Sequence, residues 1–143
     1  MSSRKRDVVV LGKIVEYCNG IENSIKRFGS GVKALDADSD YMDSVSMKIL
    51  QIGELTTHLS EELKKSHREM PWQDIKGMRN IAAHGYHKFD NERLWGTMTE
   101  DIPSLRSYCL EIITQYQTPH QNCTETHKTD QDTDPEHRHK MKL

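Results

Sequence analysis

An arginine, an amide, a histidine and a tyrosine crowd into the eight positions Arg79-Asn80-x-x-x-His84-x-Tyr86. Arginine presents a planar fork of N–H donors that matches phosphate oxygens, and imidazole exchanges a proton near neutral pH. Together they suit attack of a ribose 2′-hydroxyl on the adjacent phosphodiester. In that reaction His84 moves the proton, Arg79 holds the phosphate and stabilises its developing charge, and Asn80 orients one or the other. No metal or other cofactor is required, because the nucleophile already sits in the substrate. One histidine does not easily serve as base and acid at once, whereas a twofold dimer with two motifs face to face supplies both. The plainer readings stay open: an arginine and a histidine near a helix end also form structural ion pairs or caps, and Tyr86 also suits a core or rim aromatic.

The element that carries these residues is expected to be a short helix from Trp72 to His84. Pro71 suits a first turn, where its missing N–H is no loss, and Gly85 suits the residue just past a helix end. His84 at that end would feel the negative pole of the helix dipole, which favours the imidazolium. Asn80 and His84 share a face at four residues apart, whereas Arg79 and His84 diverge by about 140° on an ideal helix. Unwinding near Gly85, or a second subunit, would have to unite them. Around the motif, Lys64 to Arg93 holds seven Lys or Arg against four Asp or Glu, so a polyanion could dock there, with Lys76, His87 and Lys88 as candidate RNA contacts. An ordinary solvated helix face is the alternative reading of the same charges.

The flanking sequence supplies the scaffold. After a frayed basic start over residues 1–6, Asp7 is a candidate N-cap, and Leu11, Ile14, Cys18, Ile21, Ile25 and Phe28 recur in steps of three and four along one helical stripe that Gly29 ends. Val32 and Leu35 fit a single helical turn. Ser39 or Asp40 then caps a second helix striped by Tyr41, Val45, Ile49, Ile52, Leu55, Leu59 and Leu63. Gly53 weakens that helix by about 1 kcal/mol relative to alanine, which suggests close approach by another backbone. Glu54 beside it reads as a surface acid in preference to a cation's partner. The last helix, capped by Asp90 or Asn91, carries Trp95, Met98, Ile102, Leu105, Cys109, Ile112 and Tyr116, with a kink or break expected at Pro103. No period-two alternation persists anywhere, so the chain reads as all-α.

The 143 residues suffice for one domain, and a net charge of -2 excludes a generally basic, histone-like nucleic-acid binder. Cys18, Cys109 and Cys123 show no paired spacing and read as small hydrophobes in a reducing cytoplasm. No segment approaches the length of a membrane span. From Thr118 onward the only Val, Ile, Leu, Phe or Trp is Leu143, so the expected domain is 1–117, followed by a disordered or extended polar, His-rich tail over 118–143. Cys123, His127, His137 and His139 lack a paired ligand set, and no metal site is expected there.

The central stretch and its surroundings resemble the HepT family of the HEPN superfamily. The residues that carry the resemblance are Ile49-Leu50-Gln51-Ile52-Gly53-Glu54-Leu55, Met70 to Asn80, His84-Gly85-Tyr86, Asp90, Leu94-Trp95 and Asp101-Ile102-Pro103-Ser104-Leu105. Arg-x-x-x-x-His alone is a weak pattern. Between Pro-Trp-x-Asp-Ile and a downstream Asp-Ile-Pro-x-Leu it becomes specific. The resemblance implies an antiparallel bundle of four to five helices, a homodimer with a composite cleft, and a metal-independent ribonuclease toxin. It also implies a cognate minimal nucleotidyltransferase antitoxin that transfers AMP to the motif tyrosine, here Tyr86. The competing expectation is a non-catalytic helical partner, or substrate-binding subunit, of a nucleotidyltransferase. The long polar tail departs from the family pattern.

Overall fold

The computed structural model describes residues 2–88 and 91–117, residues 81–88 by their backbone course alone. Among the described residues the regular structure is entirely helical: α1 (Ser3–Phe28), α2 (Val32–Ala37), α3 (Ser39–Thr56), α4 (Glu61–Ser66), α5 (Trp72–Lys88), α6 (Asn91–Gly96) and α7 (Ile102–Gln117). A wide π-type turn, Thr97–Asp101, joins α6 to α7. The long rods are thus α1, α3, α5 and the α6–α7 composite, which agrees with the expected bundle. The expected tail over 118–143, with Cys123, His127, His137 and His139, and the cap Asp90 lie outside the described residues.

The core is built from the stripes that the sequence spaces by three and four. Leu11, Ile14, Cys18 and Ile21 of α1 are buried against Tyr41, Val45, Ile49 and Ile52 of α3 and against Ile102, Leu105, Cys109 and Ile112 of α7. Polar contacts fix the directions. Arg4 lies over the Tyr116 ring at 4.5 Å, and the Arg106 Nε donates to the Asn19 side chain at 2.5 Å, so α1 and α7 run antiparallel. The Tyr41 hydroxyl donates to the Gly29 carbonyl at 2.9 Å, which ties the end of α1 to the start of α3. Gly29 ends α1 as expected, with φ at 114°, a left-handed value that a side chain would strain.

Several boundaries differ from the sequence reading. Helix α1 begins at Ser3, with the Ser2 hydroxyl accepting from the Lys5 N–H at 3.2 Å, so most of the segment expected to fray is helical. Asp7 is therefore not the N-cap. It is 2% exposed inside the helix, and its carboxylate accepts from the Ser60 N–H at 2.9 Å and the Ser60 hydroxyl at 2.6 Å. Helix α3 is capped by Asp38, one residue before the expected positions, its side chain accepting from the Asp40 N–H at 2.9 Å.

The second helix also stops short of Leu63. The hydroxyls of Thr56 and Thr57 donate back to the carbonyls of Gly53 and Glu54, at 2.8 and 2.6 Å, competing with main-chain donors at the helix end. Ser60 then restarts the chain as the N-cap of α4, its hydroxyl accepting from the Leu63 N–H. Leu59 and Leu63 remain buried on either side of this break. At Pro103 the expected interruption takes the form of the π turn. The Ile102 N–H reaches back to the Thr97 carbonyl, and proline follows directly, in the first turn of α7, where a missing N–H is tolerated.

Candidate active site

Helix α5 carries the motif, and its buried side fixes how it lies. Pro71 precedes it, and the Trp72 Nε1–H donates to the His67 carbonyl at 3.0 Å, anchoring its first turn to the preceding connection. Ile75 and Met78 are fully buried. Against them α3 offers Gly53. A Cβ at that position would stand 3.1 Å from the Arg79 Cβ and 3.2 Å from both the Arg79 nitrogen and the Lys76 carbonyl oxygen. The glycine therefore sets the α3–α5 crossing at Arg79, as its place in a good helix former suggests.

The same crossing places Arg79 beside Glu54. The Arg79 Nη1 donates to the Glu54 Oε2 at 2.5 Å, and the two side chains are 35% and 47% exposed. Glu54 is thus the partner of a cation and not the lone surface acid expected from sequence. The signal that could have found it is the adjacent glycine: whatever crosses α3 at Gly53 must meet residue 54 as well. Asn80 and Lys76 are exposed on α5. A guanidinium that is only partly covered, and that among the described residues is held through one donor, can still turn N–H groups toward a phosphate.

Helix α5 does not stop at His84. Its backbone continues through Gly85 to Lys88, so the expected C-cap at Gly85 is replaced by a helical residue. Glycine in a helix costs about 1 kcal/mol relative to alanine, which weakens a helix without ending it. Two consequences follow. His84 lies before the final turn, where the dipole argument for its protonation loses its basis. Unwinding at Gly85, one route to uniting Arg79 with His84, is not taken, and on a continuous helix their positions stay about 140° apart around the axis. The side chains of His84, Tyr86, His87 and Lys88 lie outside the described residues.

Near the entry to α5, Tyr108 donates to the Glu69 carboxylate, and its hydroxyl lies 3.1 Å from the His67 Nδ1. Burial holds the His67 pKa below its ordinary value, opposed by the Glu69 charge. Burial likewise pushes the Cys18 thiol up to about 12 and raises that of Cys109. Both thiols are free and buried, which accords with a packing role. Among the described residues no helix is long and apolar enough to cross a membrane.

A model of the Ribonuclease HepT-like family matches residues 14–112, well over half of the chain, and the chain belongs to that family. It is 40% identical over 55 residues to a candidate ribonuclease HepT of Thermococcus cleftensis, which covers 38% of this chain and 50% of that one. It is 26% identical over 107 residues to a candidate RNase of Methanocaldococcus jannaschii, covering 75% of this chain and 84% of that one. A candidate RNase of Caldanaerobacter subterraneus subsp. tengcongensis is 34% identical over 62 residues, covering 43% and 55%. Two of these three matches therefore span only about half of the relative's length. No solved structure matches the chain.

Proposed function

We propose that this protein is a metal-independent endoribonuclease of the HEPN type, which cleaves RNA by attack of a ribose 2′-hydroxyl on its neighbouring phosphodiester. The observation that carries the reading is the setting of Arg79: a guanidinium fixed at a helix crossing yet partly open to solvent, on the helix that also carries His84, in a chain of the HepT-like family. Arg79 binds the phosphate and offsets the charge that builds on it, His84 transfers the proton, and Asn80 orients one of the two. The exposed Lys76 lies within one turn of Arg79 and, with Lys88, offers further cationic contact to the RNA backbone, to which His87 adds a hydrogen-bonding group.

Because one helix sets Arg79 and His84 about 140° apart, two copies of the chain in a twofold dimer form the cleft, each turning toward it groups that its partner's own helix directs away. The protein acts as the toxin of a toxin–antitoxin pair in the cytoplasm. A nucleotidyltransferase antitoxin silences it by transferring AMP to Tyr86, which places negative charge and bulk where an RNA phosphate must sit. The test is cleavage of RNA by purified, unmodified protein in the presence of a chelator. Activity is expected, with loss in Arg79→Ala and in His84→Ala while helicity and dimer persist. Intact RNA with the folded wild-type protein would remove the proposal.

A further inference from the structure

We infer that Glu54 is a positioning residue for Arg79, and that it also tunes how tightly RNA binds; this rests on the nuclease reading above. Among the described residues the guanidinium has one partner, the Glu54 carboxylate, which accepts an N–H from Nη1 at 2.5 Å. A guanidinium has five N–H donors, so the pair leaves most of the fork for a second oxyanion. With both side chains a third to a half exposed, the pair adds little to stability. What it does is remove rotamer freedom from a long side chain, at a point where Gly53 has already fixed the backbone of Arg79. The fork is then aimed before the phosphate arrives, and that ordering need not be repeated at each turnover. The carboxylate's charge has the opposite sign of effect, because it repels the phosphate that Arg79 attracts.

Geometry and charge therefore separate by substitution. Glu54→Ala removes the acceptor and the charge, whereas Glu54→Gln removes the charge and keeps an acceptor oxygen at nearly the same place. The expected result is a kcat for Glu54→Ala lower by about tenfold, most of which Glu54→Gln restores, together with a KM for RNA that falls about two- to fourfold in both variants. A merely structural glutamate would not make RNA bind more tightly in the variants, nor separate Ala from Gln in kcat at equal melting temperature. If wild type cleaves RNA and Glu54→Ala cleaves it with the same kcat, or if Ala and Gln lose kcat equally, the positioning role is overturned. If wild type itself leaves RNA intact, the nuclease reading falls and this role with it, a result distinct from either of those.

Discussion

Gly53 and Arg79 meet almost backbone to backbone: a methyl at residue 53 would press on the Arg79 Cβ at 3.1 Å and on its nitrogen at 3.2 Å. Neither neighbour is a flexible side-chain tip, so α5 must move by a few tenths of an ångström to admit it. Gly53→Ala gains about 1 kcal/mol of helix propensity and loses about 1–3 kcal/mol to overpacking. The expected net is a destabilisation of about 1 kcal/mol in chemical denaturation, with a loss of RNA cleavage larger than that stability change explains. A Gly53→Ala protein as stable and as active as wild type would show that the crossing tolerates more space than the geometry allows.

Asp7 and Ser60 tie the start of α1 to the N-cap of α4 across 53 residues of sequence. Removing the carboxylate leaves the part-buried Ser60 donors without their acceptor. Asp7→Ala is expected to lower the free energy of unfolding by about 2–3 kcal/mol, since hydrogen bonds to a charged group are the stronger kind. Denaturant titration of the two proteins checks it.

His67 gives a pH signature. Burial, the larger influence, lowers its folded-state pKa from the ordinary 6.5, so between that lowered value and 6.5 the unfolded chain holds the proton that the folded chain refuses. In that window more protons are bound in the unfolded state, hence stability rises with pH and falls on acidification. The slope flattens once the folded imidazole itself is protonated. His67→Gln is expected to remove this contribution, measured as the difference between the two proteins' stability-against-pH curves.

Cys18 and Cys109 are expected to resist iodoacetamide at about pH 8 in the folded protein and to react once it is denatured. Burial keeps both in the thiol form, Cys18 up to about 12, and only the thiolate is nucleophilic. Mass mapping of labelled peptides checks each site.

Much of the fold is legible in the sequence because periodicity reports burial directly. Every stripe residue of α1 and α3 that reads as core is buried or packed against the core, and Gly53 reads correctly as a point of approach. The errors have two sources: partners distant in sequence that decide local structure, and short-range side-chain bonds that periodicity does not report. Asp7 looks like a cap until Ser60 claims it. Thr56 and Thr57 end α3 through bonds that a hydrophobic pattern does not register. Glu54 is one position off its stripe and reads as solvent-facing, because the adjacent Gly53 announces a crossing without saying that Arg79, 25 residues on, makes it. Gly85 shows the reverse case, a local end signal overridden by a helix that continues.

The most direct test is end-group analysis of RNA cut by unmodified protein in excess chelator, with Arg79→Ala and His84→Ala alongside. Attack by the 2′-hydroxyl predicts 2′,3′-cyclic phosphate and 5′-hydroxyl ends, no cleavage of a fully 2′-deoxy strand, and no products from either folded variant. Ends bearing 5′-phosphate, cleavage of the 2′-deoxy strand, or undiminished activity without Arg79 or His84 would contradict the account.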